Sequence, residues 1–90
     1  MSVKTSMRLS WLEQKTRKVH GPGTWCSAVR TEAPSPPGWR VTIHSVDGVV
    51  DAIEADVRRK SDAMALMYAR LESLQVARGE NPKGRWAKQG

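Results

Sequence analysis

The residues from which an active site would have to be built are one cysteine, Cys26, two histidines, His20 and His44, and nine carboxylates. Nucleophilic catalysis needs Cys26 or a serine together with a histidine base and a third group to orient it. His44 alternates with Arg40 and Thr42 on one expected strand face, and His20 stands beside a Gly21-Pro22 turn. Nothing in the spacing sets either imidazole against Cys26, which reads as a small buried strand residue. Asp47, Asp51, Glu54 and Asp56 cluster, and paired carboxylates can act as acid and base or hold a divalent cation. Asp47 has a turn role, however, Glu54 is expected opposite Arg40, and no second cluster completes a metal site. Asp51 falls on the same strand face as Ile53, expected at the end of the sheet beyond the helix. There is no glycine-rich phosphate loop, no His-Glu-x-x-His and no nucleophile elbow. The expectation is a protein that is not an enzyme, uses no metal or other cofactor and has no small-molecule substrate.

The other chemistry available is charge. Fifteen Lys and Arg against nine Asp and Glu give +6 over 90 residues. The excess belongs to the ends. Residues 1–22 hold Lys4, Arg8, Lys15, Arg17 and Lys18 against Glu13, residues 79–90 hold Lys83, Arg85 and Lys88 against Glu80, and the stretch between is neutral overall. Three basic runs emerge: Lys15, Arg17, Lys18 with His20; Arg58, Arg59 and Lys60; and Lys83, Arg85, Trp86 and Lys88. Cations interleaved with an aromatic suit a phosphate backbone and a stacked base, whereas the plain alternative is a solvated surface. The first two runs are expected to converge if the Gly21-Pro22 turn and the junction before the helix lie at one end of the sheet.

These groups must be positioned by few elements. A helix is expected from about Ser61 to Arg78, with Ser61 or Asp62 as N-cap and Gly79 past its end. Met64, Met67, Tyr68, Leu71 and Leu74 form its apolar stripe, and Leu66 projects away from it. Trp39, Val41 and Ile43 alternate with polar residues, and Asp47-Gly48 turns the chain into a second strand, Val49 to Val57. A three-residue turn, Val46-Asp47-Gly48, pairs Ser45 with Val49, sets Arg40 opposite Glu54 and gathers Trp39, Val41, Ile43, Ile53, Ala55 and Val57 on one face. An earlier strand, Thr24 to Thr31, precedes a proline-rich loop at 33–38. Residues 7–20 carry two patterns. Met7, Leu9 and Trp11 alternate as in a strand, while Ser10 to Glu13 has capping-box spacing, and a strand is favoured because a helical face of Trp11, Lys15 and Val19 is a poor apolar stripe. With no phenylalanine present, at least two of the four tryptophans are expected to anchor the core.

The predicted fold class is therefore α+β: a three- or four-stranded antiparallel sheet with one C-terminal helix packed across one face. Residues 1–79 form a single small domain and 80–90 a flexible basic tail. One cysteine excludes a disulfide scaffold, and no apolar run is long enough to cross a bilayer, so a soluble, cytoplasmic protein with no membrane partner is expected.

Two function classes follow. The first is a small binding protein whose basic surface associates with nucleic acid or a nucleoprotein complex, weakly selective for sequence. The second docks that surface on an acidic protein. In size and layout, without any shared motif, the chain resembles the accessory proteins with which phages and other mobile elements block host machinery, inhibitors of CRISPR complexes among them; that likeness implies a host protein complex as the target.

Overall fold

Residues 60–77 contain neither glycine nor proline and only one β-branched side chain, Val76, a composition that favours helix. The computed structural model, which describes residues 7–32 and 37–80, places a helix there, Lys60–Ala77. Its N-cap is Arg59, two to three residues before the position expected from Ser61 or Asp62, and no side chain caps it. At the other end the Gly79 N–H donates to the Val76 carbonyl at 3.0 Å and the Glu80 N–H to the Gln75 carbonyl at 2.8 Å. That paired closure needs a left-handed residue, and Gly79 supplies it with φ +84°.

In chain order the elements are α1 (Leu9–His20), β1 (Trp25–Thr31), β2 (Gly38–Ser45), β3 (Gly48–Ala55) and α2, the Lys60–Ala77 helix. The strands form one antiparallel sheet in the order β1-β2-β3. The α+β class, the antiparallel sheet and the C-terminal helix thus stand as expected. The strand favoured over residues 7–20 does not: that segment is a second helix, on the same sheet face as α2. Alternation of Met7, Leu9 and Trp11 misleads because Leu9 and Trp11 are exposed, while the buried positions are Leu12, Lys15, Thr16 and Val19. Their spacing is helical, but two of the four are polar, so no apolar stripe is visible in the sequence. Each polar member has a partner. The Thr16 hydroxyl donates to the Leu12 carbonyl at 2.8 Å, and the Lys15 ammonium lies 5.0 Å over the Tyr68 ring. The capping-box spacing does not start the helix either. Ser10 lies within the first turn, and the Glu13 carboxylate instead accepts the Cys26 N–H of β1 at 3.1 Å.

The hairpin register is right over most of its length, but for a different local reason. Trp39 faces Ala55, Arg40 faces Glu54 and Val41 faces Ile53, yet Ser45 pairs with Gly48 rather than Val49. The turn is the two-residue Val46-Asp47, and the extra residue sits in a bulge beyond it, where His44 opposes Val49 and Ile43 opposes Asp51. All six apolar residues of the hairpin reach the helix-facing side by this route. Val41, Ile43 and Ala55 are buried there, joined by Cys26, by Leu12 and Val19 of α1 and by Ala63, Met64, Met67 and Leu71 of α2. Trp39 packs against this cluster, but Trp11 and Trp25 remain 39% and 44% exposed, so of the three tryptophans among the described residues only one anchors the core. Aliphatic and methionine side chains fill the centre instead. Asp51 does not lie beyond the helix; both its carboxylate oxygens accept from the Arg70 guanidinium of α2, the closer contact at 2.5 Å.

Two local features carry stability predictions. A Cβ on Gly38 would collide with the Ala55 carbonyl oxygen of the paired strand, where backbone has no room to yield. Gly38→Ala should therefore cost about 1–3 kcal/mol, read as a lower thermal midpoint. Gln75 is buried on α2, and its Oε1 has no hydrogen-bond partner among the described residues. Gln75→Leu should raise stability by about 1 kcal/mol, since an unpaired buried acceptor costs about 1–3 kcal/mol; an unchanged or lower midpoint would show that this amide has a partner after all.

Candidate nucleic-acid interface

Strand order decides where the cations meet. β1 and β3 each run antiparallel to β2 and so share a direction. α1 enters β1 through the short turn at 21–24, and α2 leaves β3 through 56–59. Both helices lie on one face and run back along the strands they adjoin, so they are parallel. Three contacts fix the alignment: Tyr68 beneath Lys15, Lys15 against Glu72 at 3.8 Å, and the Arg78 guanidinium donating to the Val19 carbonyl at 2.8 Å. The two helix N-termini therefore stand at the same end of the molecule, away from the β2–β3 turn.

That end collects Arg8, the N-cap of α1; Arg30, next to last in β1; and Arg58, Arg59 and Lys60 at the start of α2. Arg30 and Arg58 line a cleft of about 370 Å³ with Pro37, Gly38, Trp39, Asp56 and Val57. The Trp39 indole N–H donates to the Arg58 carbonyl at 3.1 Å, which ties the junction to β2. Neither N-cap residue offers a capping side chain, and α1 has no acidic residue in its first turn. Backbone N–H groups and the aligned helix dipoles thus add positive potential to the same end. Asp56, Asp62 and Glu32 lie there too, against the five cations.

Ion pairing separates these cations from the rest. Among the described residues the pairs are Lys15 with Glu72, Arg17 with Glu13, Arg40 with Glu54, Arg70 with Asp51 and Arg78 with Glu80. None involves Arg8, Lys18, Arg30, Arg58, Arg59 or Lys60. The first expected basic run accordingly divides: Lys15 is 6% exposed and packed between the helices, Arg17 pairs along its own helix at 3.9 Å, and Lys18 alone is an exposed, unpaired cation. Convergence of that run with Arg58 to Lys60 does not occur as expected. The Gly21-Pro22 turn adjoins the end where Trp25 pairs with His44 and β2 turns into β3, whereas Arg58 to Lys60 follow Ala55 at the opposite end of the sheet. What joins Arg58 to Lys60 is Arg8 and Arg30. Neither belongs to a basic run in the sequence, although Arg30 carries a signal: it shares parity with the core-facing Cys26 and Ala28, an unusual place for a charge unless the strand is ending. Lys83, Arg85, Trp86 and Lys88 lie outside the described residues.

The groups with catalytic potential are placed as follows. Cys26 is buried, with Sγ 3.1 Å from the Thr16 hydroxyl. Burial pushes its thiol above the ordinary value, with the Glu13 carboxylate adding to the rise and the Thr16 hydrogen bond and Arg17 opposing it. A raised thiol contributes stability in full below about pH 8.5, the unfolded value, and loses it as pH climbs through the folded value. The thermal midpoint should therefore fall in that alkaline range, a fall absent in Cys26→Ala, and a thiol reagent at neutral pH should label Cys26 far more slowly than the unfolded chain. On the opposite, helix-free face the His44 ring stacks on Trp25, centroids 5.5 Å apart, and its Nε2 lies 2.8 Å from the Ser27 hydroxyl. A serine beside an imidazole is the start of a nucleophilic pair, but no carboxylate is bonded to the other ring nitrogen among the described residues. No group of three His, Cys, Asp or Glu lies together as a metal site among them, and no helix there is long and apolar enough to cross a membrane.

No family model, curated protein or solved structure matches the chain. Fold and surface together define a two-layer domain, three strands beneath two parallel helices, with an unpaired cationic end.

Proposed function

We propose that this is a non-enzymatic binding protein that associates with the phosphate backbone of nucleic acid through the end where both helices begin. One observation carries the reading: Arg8, Arg30, Arg58, Arg59 and Lys60 gather there without carboxylate partners, while the cations elsewhere on the described surface are mostly paired. Cations left unpaired beside two uncapped helix N-termini form a surface to which an anion is attracted both by net charge and by oriented N–H groups. Contacts of this kind read backbone rather than sequence, so affinity should be weakly sequence-dependent and steeply salt-dependent.

Fluorescence anisotropy with labelled oligonucleotides at graded salt tests the reading. A linear fall of log affinity with log salt, of slope near −3 to −5 for about four or five phosphate contacts, is expected. Absence of binding at low salt overturns the reading.

A protein target is the second reading, favoured by the helix-free sheet face, where Trp25 and Val29 are 44% and 57% exposed. A pull-down from the native host with and without nuclease separates the two. Partners lost on nuclease treatment support nucleic acid, and a stoichiometric protein retained after it supports the second.

A further inference from the structure

Parallel packing of α1 and α2 leaves a second cleft, of about 260 Å³, on the helical layer. Trp11, Gln14, Lys15 and Lys18 line it from α1 and Tyr68 from α2. The four α1 residues are spaced at successive turns, so they form one flank, and Tyr68 closes the other. We propose that this cleft receives an unpaired nucleobase, and hence that the nucleic acid bound by the protein is single-stranded. The inference rests on the function proposed above and adds the form of the ligand.

Three features point to a planar occupant joined to an anionic group at the rim. Trp11 is the first. It takes no part in the core although it is among the largest apolar side chains available, and the Arg8 guanidinium lies 5.2 Å over its ring, so the indole already serves as a stacking surface for a planar cation. Tyr68 is the second: the Lys15 ammonium lies 5.0 Å over its ring and is itself held against the Glu72 carboxylate at 3.8 Å, so this wall of the cleft is fixed in place before any ligand arrives. Third, Lys18 at the rim is exposed and outside every ion pair among the described residues, placed for a phosphate. Gln14 can both donate and accept, and so can meet the edge of any base. A base within a duplex is stacked on both faces and cannot enter such a slot, which is why an occupant must be unpaired. The cleft also lies in line with the cationic end. Arg8 is one turn from Trp11, and Tyr68 is eight residues along α2 from Lys60, about 12 Å. A strand laid from Arg59 and Lys60 towards Lys18 would keep its phosphates on cations while presenting a base between Trp11 and Tyr68.

The test uses the full chain, a labelled single-stranded oligonucleotide of mixed sequence and the blunt duplex made from it, both at low salt. The single strand should bind at least tenfold tighter. Trp11→Leu and, separately, Tyr68→Leu should each weaken single-strand binding by about tenfold or more, as loss of a stacking platform does, while leaving duplex binding and the salt slope unchanged. Trp11 is partly exposed, so Trp11→Leu should keep the native circular dichroism spectrum; Tyr68→Leu serves if it does not. Equal affinity for single strand and duplex, or folded Trp11 and Tyr68 variants that bind the single strand like the parent, overturns the cleft assignment and leaves the phosphate-binding function standing. Binding to neither form overturns both.

Discussion

Replacing Arg58, Arg59 and Lys60 together by alanine should weaken nucleic-acid binding by roughly a hundredfold at low salt, taking about 1 kcal/mol for each exposed contact with a phosphate. The slope of log affinity against log salt should shallow by about 2.1 on a single strand and about 2.7 on a duplex, since each lost contact withdraws roughly 0.7 or 0.9 from it. Both readouts matter, because a substitution that merely unfolds the protein abolishes binding without leaving a shallower slope. Stability should change little: all three residues are exposed and none is ion-paired among the described residues. Relief of like-charge repulsion beside the α2 N-terminus should, if anything, raise the thermal midpoint slightly. Substituting Arg17, Arg70 and Arg78 removes the same charge from cations that already have carboxylate partners. That control separates a local interface from net charge. If it weakens binding as much as the first triple substitution, affinity follows overall charge and the cationic end has no special role.

The second large effect concerns the core. Leu12 is fully buried and is α1's largest contribution to the cluster beneath the helices. Leu12→Ala should cost about 2–5 kcal/mol, the transfer of its side chain plus the cavity left behind. For a domain of this size each kcal/mol moves the thermal midpoint by roughly 4–8 °C, so a fall of about 8–40 °C is expected. At the upper end of that range the loss approaches the whole stability of a small domain, about 5–15 kcal/mol, and the cooperative transition should disappear. Leu66→Ala is the contrast. Leu66 is 49% exposed on the outer side of α2, and its truncation should stay within about 0.5 kcal/mol. Near-equal effects of the two substitutions would mean that α1 does not share the core with α2.

Both edge strands of the sheet, β1 and β3, carry features that disfavour pairing with another chain. On β1 the Cys26 N–H is taken by Glu13 of α1. On β3 the Ala52 N–H is taken by the Asp51 side chain at 2.9 Å, and the bulge at Val49 and Val50 breaks the regular ladder. Inward-turned carboxylates and bulges are the usual means by which edge strands resist pairing with another chain.

By itself the sequence determined whatever rests on local periodicity and on the conformational needs of single residues. Met64, Met67 and Leu71 place α2 and the face it buries, Gly79 places its end, and the alternation of Trp39, Val41 and Ile43 places β2. The Arg40–Glu54 pair, with both contacts made, at 2.9 and 2.6 Å, followed from combining that alternation with charge. Tertiary structure alone decided the rest. Residues 9–20 became helix because the buried Lys15 finds its partners, Tyr68 and Glu72, only when α2 is present, while Thr16 bonds the Leu12 carbonyl of its own helix and meets Cys26 of β1. A buried polar position is invisible to a hydrophobic pattern, since its solvation is replaced by groups distant in sequence. The cationic surface was misplaced for the same kind of reason. Charge runs say which residues are positive but not which end of the sheet they reach; that depends on the common direction of β1 and β3, which sets both helix N-termini together and brings Arg8 and Arg30 to Arg58, Arg59 and Lys60.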